Sequence, residues 1–555
     1  MEKKAIKASI LAMVVVVMLA VSSAGIPTTE KSVRKGNDIY PMVMPVGVNK
    51  YHPIEKKIGL VREALTPNSL TFGEDIPIIT TESDDSHPAI ATDGAGGVLV
   101  MSEISSSILE ADLGLRYSPD GGNTWYPEDG AFLGWATEDA LETYPRIDYT
   151  GGSDFQAYGT NLPDPSTPVL HLIHFPSISD PEVSWEDDSG WTIWSVDLTG
   201  YYEDYDGIDV CGYPYGDNAP YPNFHGIITS TCIDSDTGLD TISLVYETEG
   251  TGLQLLYWPG IEGEVSHATC DIDLSTGEYF QAVEWKDEPD FINDGVHLDH
   301  CYLEPGNPEW WKGDWPEFIF EGAHNPDVKA DGGNCYLVYE FLDPIYGATN
   351  IVCAYSNDNG QTFKISNVTQ TPTENEKFPA VTAIGTTVIC TYYRNGDLYT
   401  STSKDGGATW EESDEPINDD SGIVTEEYRC ADIANQYITW EANNGDNSDI
   451  FFDTVTIPGP ALSIESISGG FGVTATVSNT GSEDASNVDW TISFDGGVFV
   501  GKEKTGTVTV PAGGEATVKT GFIFGFGKTT ASVNVGGTTG TASGFVLGPL
   551  VLGVE

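Results

Sequence analysis

Short runs rich in β-branched and aromatic residues, each ending in an aromatic or acidic residue, recur through the middle of the chain with turn formers between them. They are Val98-Leu-Val-Met-Ser-Glu103, Ile242-Ser-Leu-Val-Tyr-Glu247, Phe280-Gln-Ala-Val-Glu-Trp285, Cys335-Tyr-Leu-Val-Tyr-Glu340, Val388-Ile-Cys-Thr-Tyr-Tyr393 and Tyr437-Ile-Thr-Trp-Glu441; Phe155-Gln-Ala-Tyr158 adds a seventh. Such runs read as strands. Most follow a strand led by Pro or Cys: His87-Pro-Ala-Ile, Tyr144-Pro-Arg-Ile, Asn325-Pro-Asp-Val, Phe378-Pro-Ala-Val, Thr231-Cys232 and Thr269-Cys270. The step is about 50 residues, room for the four short antiparallel strands of a β-propeller blade. The chain is therefore expected to be all-β, with a propeller of seven blades over residues 76–457, six or eight being the alternatives. Residues 74–81 are expected to supply a strand that closes the ring.

The two ends read differently. Lys3, Lys4 and Lys7 precede an apolar run from Ile10 to Val21 and then Ser22-Ser-Ala-Gly25, the pattern of an export signal cut after Ala24. Residues 25–75 form an N-terminal extension. No later hydrophobic stretch is long enough to span a bilayer, and the apolar tail from Gly544 to Val554 reads as a last strand. After Ile457-Pro-Gly-Pro460 Cys disappears, Trp490 is the remaining tryptophan, and 20 of the last 98 residues are Gly. That shift marks a second domain, residues 458–555, of alternating strands and turns. Its Val477-x-Asn479-x-Gly481 and Pro511-Ala-Gly-Gly-Glu515 turns resemble those of cell-adhesion-type Ig-like β-sandwiches, which implies a spacer or tether.

Three segments share one template, Ser-x-Asp-x-Gly-x-Thr followed by an aromatic residue: Ser118, Asp120, Gly122, Thr124, Trp125; Ser356, Asp358, Gly360, Thr362, Phe363; and Ser403, Asp405, Gly407, Thr409, Trp410. The Ser and Asp oxygens can accept local N–H groups, Gly permits positive φ, and the aromatic ring packs back on the blade. This template resembles the Asp-box, or BNR repeat, of sialidase-like propellers. The resemblance covers residues 76–457 and implies structural turns remote from the active site. Sialidases of that kind clamp a carboxylate sugar with three arginines and use a Tyr–Glu pair and an acid/base Asp. Arg146, Arg394 and Arg429 are the candidates for such a clamp, but Tyr144-Pro-Arg146-Ile147 departs from the family's Arg-Ile-Pro order.

Charge narrows the partners. The chain carries 24 Lys+Arg against 85 Asp+Glu, a formal net charge of −61, and residues 76–457 hold ten of the bases and 70 of the acids. Such a surface repels phosphate backbones and anionic lipid headgroups, so neither nucleic acid nor an acidic membrane is the expected partner, and it suits high salt or divalent cations. No cofactor is required, although calcium fits the composition. Asp234, Asp236 and Asp240 alternate as in a calcium loop, but Val245 occupies the twelfth position, so a hairpin turn is the competing reading. His297-Leu-Asp299-His300-Cys301 could hold a metal only if the chain bends there. The eight cysteines, Cys211, Cys232, Cys270, Cys301, Cys335, Cys353, Cys390 and Cys430, are disulfide candidates in an exported protein, with Cys335–Cys353 as the first choice.

Two insertions interrupt the blade rhythm. One holds Tyr201, Tyr202, Tyr205, Tyr213, Tyr215 and Tyr221, the other Trp310, Trp311 and Trp315, both among carboxylates. Their rings either stack on sugars or pack the loops on the scaffold. The expectation is a secreted or cell-surface protein that binds extracellular glycan or protein without catalysis. An exo-glycosidase of sialidase type and a cation-dependent structural envelope component are the alternatives, and the oligomeric state is not legible.

Overall fold

The computed structural model describes residues 49–50 and 71–554, apart from stretches of which the longest are 176–191, 213–225 and 303–317. Every regular element among the described residues is a β-strand, and among those residues no helix is long and apolar enough to cross a membrane. Seven strands, Asp84–Thr92, Leu141–Tyr149, Tyr202–Gly212, Glu264–Ile272, Ala323–Asp331, Glu376–Ile384 and Ala431–Ala434, pack side by side in that order, and the last meets the first. Each opens an antiparallel sheet that runs outward; in the fifth, Ala323–Asp331 is followed by Asn334–Leu342, Thr349–Ser356 and Lys364–Asn367. A closed ring of radial sheets is a β-propeller, here of seven blades among the described residues. The outermost strand of the seventh blade is Ile76–Ile79, which pairs with Ser448–Thr456, so a strand from before the first blade completes the last.

Neighbouring inner strands diverge too far for a ladder, and carboxylates join them instead. Asp209 of the third blade accepts from the Cys270 N–H of the fourth at 2.9 Å, Asp271 from Ala330 N–H of the fifth at 2.6 Å, and Asp327 from Val381 N–H of the sixth at 2.7 Å. Asp432 of the seventh accepts from Ile90 N–H of the first at 2.9 Å, which bonds the seam. A second set uses the acidic ends of the repeated runs. His87, His267, Asn325, Phe378 and Arg429 all sit at positive φ near the start of an inner strand, beside a bulge in the first four cases. The N–H thus re-aimed meets the preceding blade's glutamate: His87 on Glu441 at 3.3 Å, Asn325 on Glu284 at 3.0 Å, Phe378 on Glu340 at 2.8 Å. Part of the acidity is therefore internal mortar and not solvated surface.

The cysteines correct an expectation. Among the described residues Cys211, Cys270, Cys335, Cys353, Cys390 and Cys430 are buried thiols outside any disulfide, Cys232 is buried with its Sγ on the Thr241 carbonyl, and the side chain of Cys301 lies outside the described residues. Cys353 lies opposite Val338, three residues from Cys335, which lies opposite Ser356. An odd offset puts the two on opposite faces of the blade. Cys335 packs with Phe280, Leu337 and Phe363 towards the fourth blade, while Cys353 packs with Val338, Cys390 and Trp410 towards the sixth.

The three Ser-x-Asp-x-Gly-x-Thr turns have one hydrogen-bond pattern. Ser118, Ser356 and Ser403 each accept the glycine N–H through Oγ at 2.8–3.0 Å. Asp120, Asp358 and Asp405 each take the threonine N–H at 2.8–2.9 Å. Trp125 and Trp410 donate Nε1–H back to the glycine carbonyl at 3.0 Å. Gly122 has φ +90°, and a Cβ there would stand 2.4 Å from the Phe452 ring. Gly122→Ala is therefore expected to cost about 1–3 kcal/mol through strain and overpacking, measurable as a lowered midpoint in urea unfolding.

Residues 462–552 form a two-layer sandwich. Leu462–Ser468, Thr474–Asn479 and Gly514–Lys519 make one sheet, and six strands from Gly470–Phe471 to Leu550–Leu552 make the other. Val477, Val518, Ile492, Val533 and Val546 fill the space between. This sandwich sits on the propeller face that carries the Ser-x-Asp turns: Thr539 Oγ1 donates to Gly332 O at 3.2 Å and Thr541 Oγ1 to Ser275 O at 3.4 Å.

Candidate functional site

The inner strands enclose a central cavity of about 330 Å³. Ser463, Ile464, Glu465 and Thr480 of the sandwich line one end of it, together with residues from the first hairpin turns. The open mouth lies at the other end, where the inner strands begin and the bulges re-aim their side chains. The cations lining the cavity are Arg146, Lys329 and Arg429, and its acids include Asp148, Asp209, Asp271, Asp327 and Asp432.

Tyr428 crosses this mouth. It belongs to the loop before the seventh inner strand, yet its ring lies 4.0 Å from that of His267 in the fourth blade. Its phenol donates to Pro326 O of the fifth at 3.3 Å. Arg429 follows at positive φ, its guanidinium 5.3 Å from the Tyr428 ring, donating to Ala268 O at 2.8 Å and standing 3.7 Å from Asp209. Burial pushes the Tyr428 phenol well above its ordinary pKa, and Asp327 adds to this.

Beside Tyr428 a histidine pair shares one carboxylate. Glu284 meets His267 Nδ1 at 3.1 Å and His324 Nδ1 at 2.9 Å while also holding Asn325 N–H. Burial works against the Glu284 charge, but the hydrogen bonds from His267, His324 and Asn325 outweigh it and hold the carboxyl well below its ordinary range. Glu284 in turn raises His324. At the ring seam His87 lies between Glu103 at 3.4 Å and Glu427 at 3.6 Å. Burial opposes its charge, and the two glutamates override that and push it up to about 10. An imidazole held in its charged form by two carboxylates, as His87 is, binds and orients and does not shuttle protons near neutrality.

The three candidate arginines divide. Arg146 and Arg429 line the cavity, whereas Arg394 is held in the body of the sixth blade by Glu376 at 3.2 Å and by Glu412, with its guanidinium 4.3 Å over the Tyr399 ring. Arg146 is buried and donates to its own neighbour's carbonyl, Pro145 O, at 2.9 Å.

The other candidates fall away from the mouth. Asp234 binds the N–H of Asp236 and the hydroxyl of Thr237, and Asp240 accepts Val265 N–H at 3.2 Å, so these carboxylates build a hairpin and a blade contact. His297 packs on Trp285 and His300 on Phe280, an odd offset that sends the two rings to opposite faces of the strand. Among the described residues no three His, Cys, Asp or Glu side chains converge to hold a metal ion. Tyr201, Tyr213, Tyr215, Tyr221, Trp310, Trp311 and Trp315 lie outside the described residues, as do the side chains of Tyr202 and Tyr205.

Neither a family model nor a curated protein sequence matches the chain. Solved structures similar to it include a protein of unknown function from Dyadobacter fermentans, at 12% identity and TM-score 0.40, covering 70% of this chain and 99% of that one. An α-L-arabinofuranosidase from Fusarium graminearum gives 12% and 0.39, over 70% of this chain and 98% of its own. A Trypanosoma rangeli sialidase gives 11% and 0.36, over 86% and 90%. Likeness at this level decides nothing about chemistry, which rests on the mouth's own side chains.

Proposed function

We propose that the chain is an exported, surface-held recognition protein that binds extracellular glycan at the channel mouth and does not hydrolyse it. One observation carries the reading: the Tyr428 phenol, the group a sialidase-type mechanism would need as nucleophile, donates to the Pro326 carbonyl. Its proton is held more tightly than in free tyrosine, the reverse of what activation requires. Arg146 and Arg429 are likewise engaged by protein carbonyls, and Arg429 also by Asp209, so the carboxylate clamp of a sialidase has no ready counterpart. The mouth instead offers flat rings from Tyr428, His267 and His324 beside the exposed carboxylate of Glu427, which suits stacking on a sugar with hydroxyls as donors. The surrounding acids favour neutral or amino sugars over acidic ones.

The glycosidase reading retains one support, that Arg146, Arg429 and Tyr428 share one cavity. Both are tested on the full chain in raised salt with millimolar calcium. Neutral or amino glycans on an array should be retained, with Tyr428→Ala weakening binding about tenfold or more, roughly 1.4 kcal/mol. Fluorogenic glycosides, a sialoside included, should not turn over. Turnover abolished by Arg146→Ala would replace the recognition reading with the enzyme.

A further inference from the structure

The six-stranded sheet of the C-terminal sandwich has an outer face divided along its length. In the half nearer the propeller its exposed positions are Thr530, Ser532 and Asn534 on one strand and Thr539, Thr541 and Ser543 on the next. In the far half the same face turns apolar. Phe471 lies opposite Leu550, Leu550 opposite Leu547, and Leu547 opposite Phe526, so one exposed row crosses four strands. Phe545 with Leu552, and Phe524 with Val500, extend it on either side. All eight are exposed, Phe471 at 62% and Phe526 at 63%, while their alternates Val546, Val551 and Ile523 fill the core. Phe522 adds a ring 6.1 Å from Phe471.

A patch of this kind on a soluble face marks an interaction site, and charge identifies the occupant. Residues 469–473, 496–501, 520–527 and 544–554, which build the tip, contain no Asp, Glu, Lys, Arg or His. Three of the module's four lysines, Lys502, Lys519 and Lys528, stand exposed and directly flank these segments in sequence, against Asp495 and Glu555; the fourth, Lys504, lies level with Val533 in the polar half. In a chain of net charge −61 this is a local excess of cations, placed in a collar around an uncharged aromatic tip. We propose that the tip inserts into the interfacial layer of a lipid bilayer, with Phe and Leu among the acyl chains and the lysine collar at the phosphates. A second copy of the chain fits less well, since it would bring two strongly acidic proteins and two lysine collars together. Lipid insertion also orients the molecule: the sandwich docks on the Ser-x-Asp-turn face, so the Tyr428 mouth points away from the bilayer.

The inference is independent of what the mouth binds. Its test is co-sedimentation of the full chain with vesicles of equal parts phosphatidylcholine and phosphatidylglycerol, in raised salt. The chain should pellet with the vesicles, and the Phe526→Ser/Leu547→Ser variant should lose binding about tenfold or more. Both side chains are exposed, so the variant should keep the wild-type unfolding midpoint, and glycan retention at the mouth should not change. A chain that stays in the supernatant, a variant that binds as well as wild type, or a vesicle-free dimer in analytical ultracentrifugation that the variant dissolves would each overturn the proposal.

Discussion

Asp271→Ala is expected to destabilise the propeller by about 3–5 kcal/mol. Asp271 is buried, takes the Ala330 N–H of the next blade at 2.6 Å and pairs with Lys329 Nζ at 3.0 Å. Removing it orphans a backbone donor and leaves an ammonium in the channel without its closest counter-charge. Burial alone would release the Lys329 proton; Asp271, Asp148 and Asp331 hold it on and raise its pKa. Asp271→Asn keeps an acceptor for Ala330 but not the charge, so it should lose roughly half as much. The double change Asp271→Asn/Lys329→Met should recover most of the remainder, because an absent ion pair costs far less than a broken one. Urea unfolding followed by far-UV circular dichroism measures all three. A loss under about 0.5 kcal/mol for Asp271→Ala, the level of an ordinary surface change, would show that the inner-strand carboxylates do not hold the ring.

Stability should fall as pH rises from about 5 to about 9, with a drop of several degrees in Tm. Burial, with help from Asp209 and Asp432, pushes Asp327 up to about 8. Burial likewise lifts Asp331, Glu376 and Asp453 to about 7. The folded protein thus keeps protons on these groups that the unfolded chain has already released near pH 4, and each unit of that gap costs about 1.4 kcal/mol before screening by channel water. For each group the cost is absent below the unfolded pKa, grows through the window and is complete above the folded pKa. His87 acts in the same direction: its stabilisation is fully present below about 6.5 and is lost as pH passes through about 10. Glu284 and Glu427, both held below their ordinary range, oppose this only on the acid side, where their contribution disappears as they protonate. Calorimetric scans at constant raised salt provide the check. Asp327→Asn should flatten the slope between about pH 6 and 8; an unchanged slope would assign the effect to general repulsion among surface acids.

The acidic repeat ends show how far one sequence reaches. Glu284, Glu340 and Glu441 were visible as the last acids of repeated runs, and His87, Asn325 and Phe378 as residues leading Pro-marked strands. Nothing local said that each glutamate accepts the next blade's re-aimed N–H, because the partners are 38 to 354 residues apart. Tyr428 was not legible at all. It sits in a loop, outside any repeated run, and its importance comes from reaching His267 and Pro326 across the ring. The cysteine pairing failed for a related reason: hairpin neighbours in sequence can face opposite sides of a blade.

The sequence by itself determined the all-β class, the propeller, with six, seven or eight blades left open, and the geometry of the three Ser-x-Asp-x-Gly-x-Thr turns. All of these follow from contacts within about ten residues, or from a pattern repeated often enough to impose itself. Only the tertiary structure decided that the blades number seven, that Ile76–Ile79 completes the last of them, which acids are mortar, which arginines share a cavity, where the mouth opens, and that the uncharged residues of four separate segments meet at one tip. These depend on the closure of the ring and the register of the sandwich sheet. Both are set by packing summed over the whole molecule, and no local run of residues encodes them.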